Sequence, residues 1–165
     1  MKEPTVLRAF DEYDSRALLV ARTRMAQDPG ALSFKALKLL SRDKRAFQAY
    51  FSDTVNRWLS GEFDAAPDVD TWIDFNNRVA RGVKQIIRQN RRGKRLAVFT
   101  SGGPISAVVK MTLGLSSQAT VDVSWQIMNA SLTCVKYTGH RLTLSMFNNA
   151  THLILERDPA LMTYR

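Results

Sequence analysis

The stretch Leu96-Ala-Val-Phe-Thr-Ser-Gly-Gly-Pro-Ile105 decides the fold, because an apolar run breaks into two glycines and then a proline. The run over residues 95–100 is too short for a helix flanked in this way and predicts a buried strand. Gly102 and Gly103 leave the backbone accessible, and Pro104 suits the first position of a helix. The unpaired N–H groups at a helix start attract phosphate together with the helix dipole. The turn therefore predicts an anion pocket, although such turns also occur without a ligand.

Helical and strand patterns flank this turn. Residues 18–22 and 31–40 predict helices divided by the breaker Asp28-Pro-Gly30. Apolar residues at helical spacing predict a helix over residues 43–59, and Thr71 with Asp74 resembles a capping box at the start of a long helix. The buried stripe of that long helix is predicted to be Trp72, Phe75, Val79, Val83, Ile86 and Ile87. Its basic residues Arg78, Arg81, Lys84 and Arg88 are predicted mostly to face away. Residues 105–113 predict a helix that ends at Gly114, followed by a shorter helix over 121–127. Strict alternation over 131–137 and 141–147, with Thr138-Gly139 between them, predicts an antiparallel hairpin. Helices after a buried strand, together with a terminal hairpin, indicate an α/β three-layer sandwich.

The composition indicates one globular domain. The chain has 165 residues, of which 45% are hydrophobic, and this is enough for a single core. No apolar run approaches the ~20 residues that cross a bilayer, and the N-terminal residues do not resemble a secretory signal. We therefore expect a soluble cytoplasmic protein. The single cysteine, Cys134, lies in an alternating run and is expected to be a small buried hydrophobe.

The net charge of +9 permits attraction to polyanions. Basic residues are concentrated in Arg88-Gln-Asn-Arg-Arg-Gly-Lys-Arg95, at the predicted end of a helix. Cations at a helix C-terminus are favoured by ~0.3–1 kcal/mol each. No aromatic residues are interleaved with this cluster as stacking platforms for bases. A solvated helix end is thus favoured over nucleic-acid binding, and polyanion binding stays as an alternative.

Three further segments stand around the glycine turn in a characteristic order. They are Asp70-Thr-Trp-Ile-Asp-Phe-Asn-Asn-Arg-Val79, Gln126-Ile-Met-Asn-Ala-Ser131 and Leu144-Ser-Met-Phe-Asn-Asn-Ala-Thr-His-Leu153. From Phe10 to the C-terminus, the chain resembles the second half of the histidine phosphatase superfamily, which has the phosphoglycerate mutase-like fold. The resemblance implies a three-layer α/β/α sandwich forming one domain over 1–165. It also implies a helical, cap-like insertion at about 16–62, a C-terminal hairpin and missing opening strands.

The resemblance also implies roles for particular residues. Members of the family hold phosphate with two arginines and two histidines, and one histidine is transiently phosphorylated. The nucleophilic histidine lies in an Arg-His-Gly motif, which this sequence does not contain. The second pocket histidine corresponds to Ser101, which can donate a hydrogen bond but carries no charge. Glu12, within Phe10-Asp-Glu-Tyr-Asp14, corresponds to the acid that protonates the leaving oxygen, and Ser101 and Gly102 correspond to phosphate-binding positions.

These correspondences predict an ancestral phosphomonoester phosphatase or mutase whose activity is lost or impaired in this chain. The expected ligand is a small phosphorylated substrate or phosphate, with no cofactor, no membrane and no nucleic acid as a partner. The alternative is a non-catalytic protein that binds a partner or a polyanion. Because the strand at Leu96 would lose a neighbour in the absence of opening strands, we expect an exposed apolar edge and self-association.

Other chemistries have less support in the sequence. Ser101 followed by Asp122 and His152 has the residue order of an α/β-hydrolase triad, but that turn requires glycine where Phe99 stands. Glu12 also has a simpler interpretation as a surface carboxylate among other acidic residues. His140 and His152 lack the spacing of a metal site, so the sequence predicts no bound metal.

Overall fold

The computed structural model describes residues 3–25, 31–90, 93–138 and 141–164. Within them lie seven α-helices and a two-stranded sheet, so the chain mixes helices and strands. Two short 3-10 turns cover Arg8–Phe10 and Pro159–Leu161. None of these helices combines the length and the apolarity that would span a membrane. The elements are α1 (Ser15–Thr23), α2 (Phe34–Leu40), α3 (Lys44–Leu59), α4 (Trp72–Gln89), α5 (Gly102–Leu113), α6 (Ser117–Ser124), β1 (Leu132–Thr138), β2 (Arg141–Asn149) and α7 (Thr151–Leu155).

The chain divides into two compact units. One consists of Tyr13–Phe75, and the other consists of Met1–Glu12 together with Asn76–Arg165. The first unit contains the residues of the predicted insertion, whose role as a cap stays a prediction, as does the single-domain organisation. The breaker Asp28-Pro-Gly30, predicted between two helices of this unit, lies outside the described residues.

The helices of unit 13–75 begin where short polar side chains cap them. Asp14 Oδ1 accepts a hydrogen bond from Ala17 N at 2.8 Å, and Asp43 Oδ1 accepts from Arg45 N and Ala46 N. These contacts pair backbone donors that the first turn of a helix leaves unpaired. The helix predicted over 43–59 is confirmed as α3, and Val55 and Trp58 on its apolar face are buried.

A buried arginine connects α1 to α3 within this unit. Arg22 is only 3% exposed. Its Nη1 donates to Thr54 Oγ1 at 2.8 Å and to the Tyr50 carbonyl at 3.0 Å, while its Nη2 lies 2.6 Å from Asp53 Oδ2. The guanidinium carbon also lies 3.9 Å from the centroid of the Tyr50 ring. These partners balance the burial of the charge, as a desolvated cation requires.

Helix α4 begins at the predicted capping box. Asp74 N donates to Thr71 Oγ1 at 3.0 Å, and Thr71 Oγ1 donates to Asp74 Oδ2 at 2.8 Å. The predicted apolar stripe is confirmed over the first three turns, because its members there are buried. They are Trp72, Phe75, Val79 and Val83.

Helix α5 follows the glycine turn as predicted and packs against α6 and β2. It begins at Gly102, so Pro104 is its third residue rather than its first. It ends at Gly114, whose φ of 67° is the left-handed conformation that glycine adopts at helix ends. Helix α6 starts four residues earlier than its predicted start, because the Ser116 side chain accepts from Ala119 N and caps it there.

The predicted hairpin is confirmed as the antiparallel pair β1 and β2, with an irregular register near Cys134. Its turn residues Gly139 and His140 lie outside the described residues. The prediction that Cys134 is buried is wrong, because this residue is exposed. Side chains alternate between the faces of a strand, and Cys134 lies on the more exposed face with Leu132 and Lys136.

The strand predicted over residues 95–100 is wrong. This segment is extended, but it pairs with no other strand in the described part of the chain. A strand requires a neighbour for its backbone groups, and the apolar pattern alone does not supply one. The expected exposure of apolar residues is confirmed, since Leu96 is 40%, Val98 45% and Phe99 96% exposed. The three-layer arrangement, which needs this strand in a sheet, stays a prediction.

The exposed segment 95–99 leads to a prediction about association. Apolar side chains beside unpaired backbone groups favour pairing with another chain. We expect the wild-type protein to self-associate at about 100 µM and the Phe99→Asp variant to be mainly monomeric, as measured by sedimentation velocity. Leu155→Asp is the matched control, because Leu155 is 73% exposed but lies in helix α7. A monodisperse wild-type monomer, or equal dissociation by both variants, would contradict the prediction.

Candidate anion-binding site

The start of α5 has the form that the glycine turn predicts. Ser101 is the N-cap residue in extended conformation, and its side chain makes no capping hydrogen bond. Gly102, Gly103 and Pro104 are buried, while Ser101 is half-buried. Because proline has no N–H, the backbone donors at this helix start come from the residues before it.

The structure brings the carboxylate of Glu12 to this turn. Gly103 N donates a hydrogen bond to Glu12 Oε2 at 3.1 Å, although the two residues are 91 positions apart in the sequence. Glu12 itself is half-buried. A carboxylate is favoured at a helix start because it pairs a backbone donor and faces the positive end of the helix dipole. The residues predicted from separate motifs, Glu12 and the glycine turn, thus lie together.

The backbone before Glu12 is held by two further contacts. Thr100 Oγ1 donates to the Phe10 carbonyl at 2.6 Å. Arg78 Nη1, from α4, lies 2.8 Å from the Asp11 carbonyl oxygen and 3.0 Å from that of Arg8. The prediction that Arg78 faces away from the protein is therefore wrong. Arg78 lies on the edge of the apolar stripe, where its long side chain reaches backbone carbonyls that the stripe pattern does not reveal.

A glycine inside α4 marks the same contact. A Cβ atom built on Gly82 would lie 2.6 Å from Ala9 Cβ and 3.1 Å from Phe10 Cζ. The segment leading to Glu12 therefore passes against the helix where only glycine leaves room. A glycine in a helix interior costs about 1 kcal/mol relative to alanine, and it often signals a close approach of this kind. In the sequence, this glycine indicates a close approach at α4 without identifying the segment that approaches.

The other residues considered from the sequence are mostly exposed. Asp122 is exposed and accepts a hydrogen bond from Gln118 Nε2 at 3.1 Å, and His152 is exposed in α7. Within the described ranges, no group of three or more His, Cys, Asp or Glu side chains is placed to hold a metal ion. In the basic cluster, Lys94 and Arg95 are exposed, whereas Arg91 and Arg92 lie outside the described residues.

A cavity of about 550 Å³ lies in unit 13–75, between α1 and the loop over 62–69. Its lining is largely apolar and includes charged residues of both signs. Arg24 and Asp68 pair there at 3.7 Å, and both side chains are mostly exposed. This cavity offers no excess of positive charge to a phosphate, so we place the candidate site at the start of α5 instead.

Comparisons with known proteins address the family directly. The family model described as histidine phosphatase superfamily (branch 1) matches residues 35–150, which is more than half of the chain. Comparisons with curated proteins and with solved structures find no match. The matched range includes the glycine turn over 101–103, whereas Glu12 precedes it. Given this match over most of its length, the chain belongs to the histidine phosphatase superfamily (branch 1).

Proposed function

We propose that this chain binds the phosphate group of a small phosphomonoester, or free phosphate, at the start of α5, and that its phosphoryl transfer is impaired. The observation that carries the proposal is the hydrogen bond from Gly103 N to the Glu12 carboxylate. A backbone donor that already holds one anionic oxygen is suited to hold another. The proposal assigns Glu12 as the proton donor, and Ser101 and Gly102 as phosphate-binding residues, in a cytoplasmic protein.

The assigned groups divide the chemistry between them. Phosphate would take the place of the Glu12 oxygen at the Gly103 amide, and the Ser101 hydroxyl would donate a second hydrogen bond. Glu12, displaced from the amide, would take up a proton beside the bound phosphate and donate it to the leaving oxygen as a water molecule attacks the phosphorus. The attacking water would return a proton to Glu12, which balances the hydrolysis. The carboxylate thus pairs with the Gly103 amide in the structure and would act as an acid when phosphate binds there.

The impairment follows from the residues that the chain offers. Its histidines are His140 and His152, and neither lies in an Arg-His-Gly motif. Ser101 replaces a charged pocket group with a neutral hydroxyl. Because phosphoryl transfer depends mainly on positioning and electrostatic stabilisation, these changes are expected to cost several orders of magnitude in rate.

Titration with inorganic phosphate tests the binding step. The Gly103 backbone amide, observed by ¹⁵N NMR, should shift on titration. Glu12→Gln should tighten binding about 5-fold, because it removes a negative charge whose repulsion at ~4 Å is worth about 1 kcal/mol in water. Ser101→Ala should weaken binding about 3-fold through the loss of one hydrogen bond.

Asp11→Asn is the matched control, because it removes the adjacent, exposed carboxylate and should leave affinity nearly unchanged. Phosphate that shifts other amides but not Gly103 would overturn the assigned site. Hydrolysis of an aryl phosphate tests the impairment separately, and we expect no turnover above that of buffer. Turnover that Glu12→Gln abolishes would instead show that the chain is an active phosphatase.

A further inference from the structure

We infer that Arg78 is a positioning residue for Glu12. Its guanidinium fixes the backbone of residues 8–11, and through that backbone it holds the Glu12 carboxylate at the Gly103 amide. The inference rests on the proposed role of Glu12. It assigns a positioning role to Arg78, although the helical pattern of α4 predicts only that this side chain faces away from the core.

The geometry around Arg78 is that of a cation at the end of a helical turn. Its Nη1 lies 3.0 Å from the Arg8 carbonyl oxygen, 2.8 Å from that of Asp11 and 3.5 Å from that of Ala9. One guanidinium nitrogen carries two hydrogens, so the two shorter contacts are full hydrogen bonds and the third is a weak shared one. The Arg8 carbonyl also accepts from Asp11 N at 3.1 Å, and carbonyls at the end of a helical turn face a cation favourably.

Planarity of the peptide bond carries this constraint to Glu12. The carbonyl of Asp11 and the N and Cα atoms of Glu12 belong to the same planar peptide unit. A hydrogen bond that fixes the direction of that carbonyl therefore fixes the point from which the Glu12 side chain starts. The φ rotation of Glu12 and its side-chain rotations then remain between that point and the contact of the carboxylate with Gly103 N.

Two further residues, Gly82 and Thr100, contact the same backbone segment over residues 8–11. Gly82, one turn further along α4, receives Ala9 and Phe10 at a distance that no larger residue permits. Thr100 binds the Phe10 carbonyl at 2.6 Å and directly precedes Ser101. The segment is thus held from α4 on one side and from the glycine turn on the other, and Arg78 contacts the carbonyl nearest to Glu12.

The test uses the Gly103 amide proton shift, which requires no catalytic activity. Replacing Glu12 with Gln changes this shift by removing the charged acceptor. We expect Arg78→Met to move the Gly103 amide proton shift in the same direction. When Glu12→Gln is then added to the Arg78→Met variant, the further change in this shift should be less than one third of the change that Glu12→Gln causes in the wild type. Arg78→Lys, which keeps a cation with less suitable geometry, should give an intermediate shift.

Arg81→Met is the matched control, because it removes the same charge from an exposed position on the same helix. It should leave the Gly103 signal unchanged. The inference would be overturned if the changes in the Gly103 shift caused by Glu12→Gln and by Arg78→Met simply added in the double variant. It would also be overturned if Arg78→Met left the Gly103 shift unchanged. If Arg78→Met does not fold, the shift in Arg78→Lys decides in the same way, with an unchanged signal counting against the inference.

Phosphate titration separates this inference from the proposed function. The 5-fold tightening expected from Glu12→Gln should fall to less than 2-fold in the Arg78→Met background. If phosphate does not bind the wild type at all, the proposed function fails, while the Gly103 shift without phosphate still reports whether Arg78 positions Glu12.

Discussion

Replacing Trp58 with alanine is expected to lower the free energy of unfolding by about 3–5 kcal/mol. Trp58 is 1% exposed, and its ring centroid lies 4.9 Å from that of Tyr13 and 5.1 Å from that of Trp72. Its Nε1 donates to the Asp70 carbonyl at 2.7 Å. Alanine would leave a cavity among aromatic rings and remove the donor that Trp58 offers to the Asp70 carbonyl, and both changes destabilise a core.

Urea unfolding followed by circular dichroism measures this loss. Trp58→Phe is the matched variant, because it keeps an aromatic ring and removes mainly the Nε1 hydrogen bond and part of the volume. Its expected cost is about 1–2 kcal/mol. A Trp58→Ala variant that loses less than the Trp58→Phe variant would show that the aromatic cluster does not support the unit 13–75.

Replacing Arg22 with methionine is expected to cost about 3 kcal/mol, because it removes two hydrogen bonds that a charged, buried guanidinium donates. Methionine fills much of the same space but offers nothing to Thr54 Oγ1, to the Tyr50 carbonyl or to Asp53, which Arg22 now contacts. Thr54 Oγ1 and the Tyr50 carbonyl would keep their hydrogen bond to each other, and Asp53 would keep its contact with Arg57, but all three would lose the charged donor. The ring of Tyr50 also loses the cation above it, which contributes about 1 kcal/mol in such pairs.

The Asp53→Asn variant distinguishes the contribution of the Arg22–Asp53 ion pair from that of the hydrogen bonds that Arg22 donates to Tyr50 and Thr54. The Asp53 side chain is 52% exposed, so its loss of charge is partly screened by water. We expect Asp53→Asn to cost about 1 kcal/mol, well below the cost of Arg22→Met. The same urea measurement compares the two variants, and equal costs would show that the ion pair, rather than the buried network, stabilises α1 against α3.

Local patterns predicted the helices, the hairpin and the glycine turn because those elements depend on neighbouring residues. The capping box at Thr71 and the glycine stop at Gly114 each act within a few residues of their position. Placing Glu12 among the candidate residues relied on resemblance to a family, because no local pattern connects a residue near the N-terminus to one 91 positions later.

The predictions that failed depend on partners that a sequence pattern does not contain. The apolar run at 95–100 meets the requirements of a strand, but a strand also needs a neighbour. The alternation around Cys134 predicts two faces without showing which face is covered, and here Cys134 lies on the open one. Helical periodicity predicts that Arg78 mostly faces away from the core, because periodicity locates apolar faces but does not reveal long side chains that reach backbone carbonyls.

The continuity of the two units has a consequence for biosynthesis. Residues 13–75 form one uninterrupted unit, whereas the other unit combines a short N-terminal segment with everything from residue 76 onward. Because nascent chains fold as they emerge and in order, the uninterrupted unit is complete on the ribosome first. The Glu12 carboxylate can pair with the Gly103 amide only after translation has passed Gly103. The contact between them therefore forms late in synthesis, and a chain that stalls before residue 103 cannot form it.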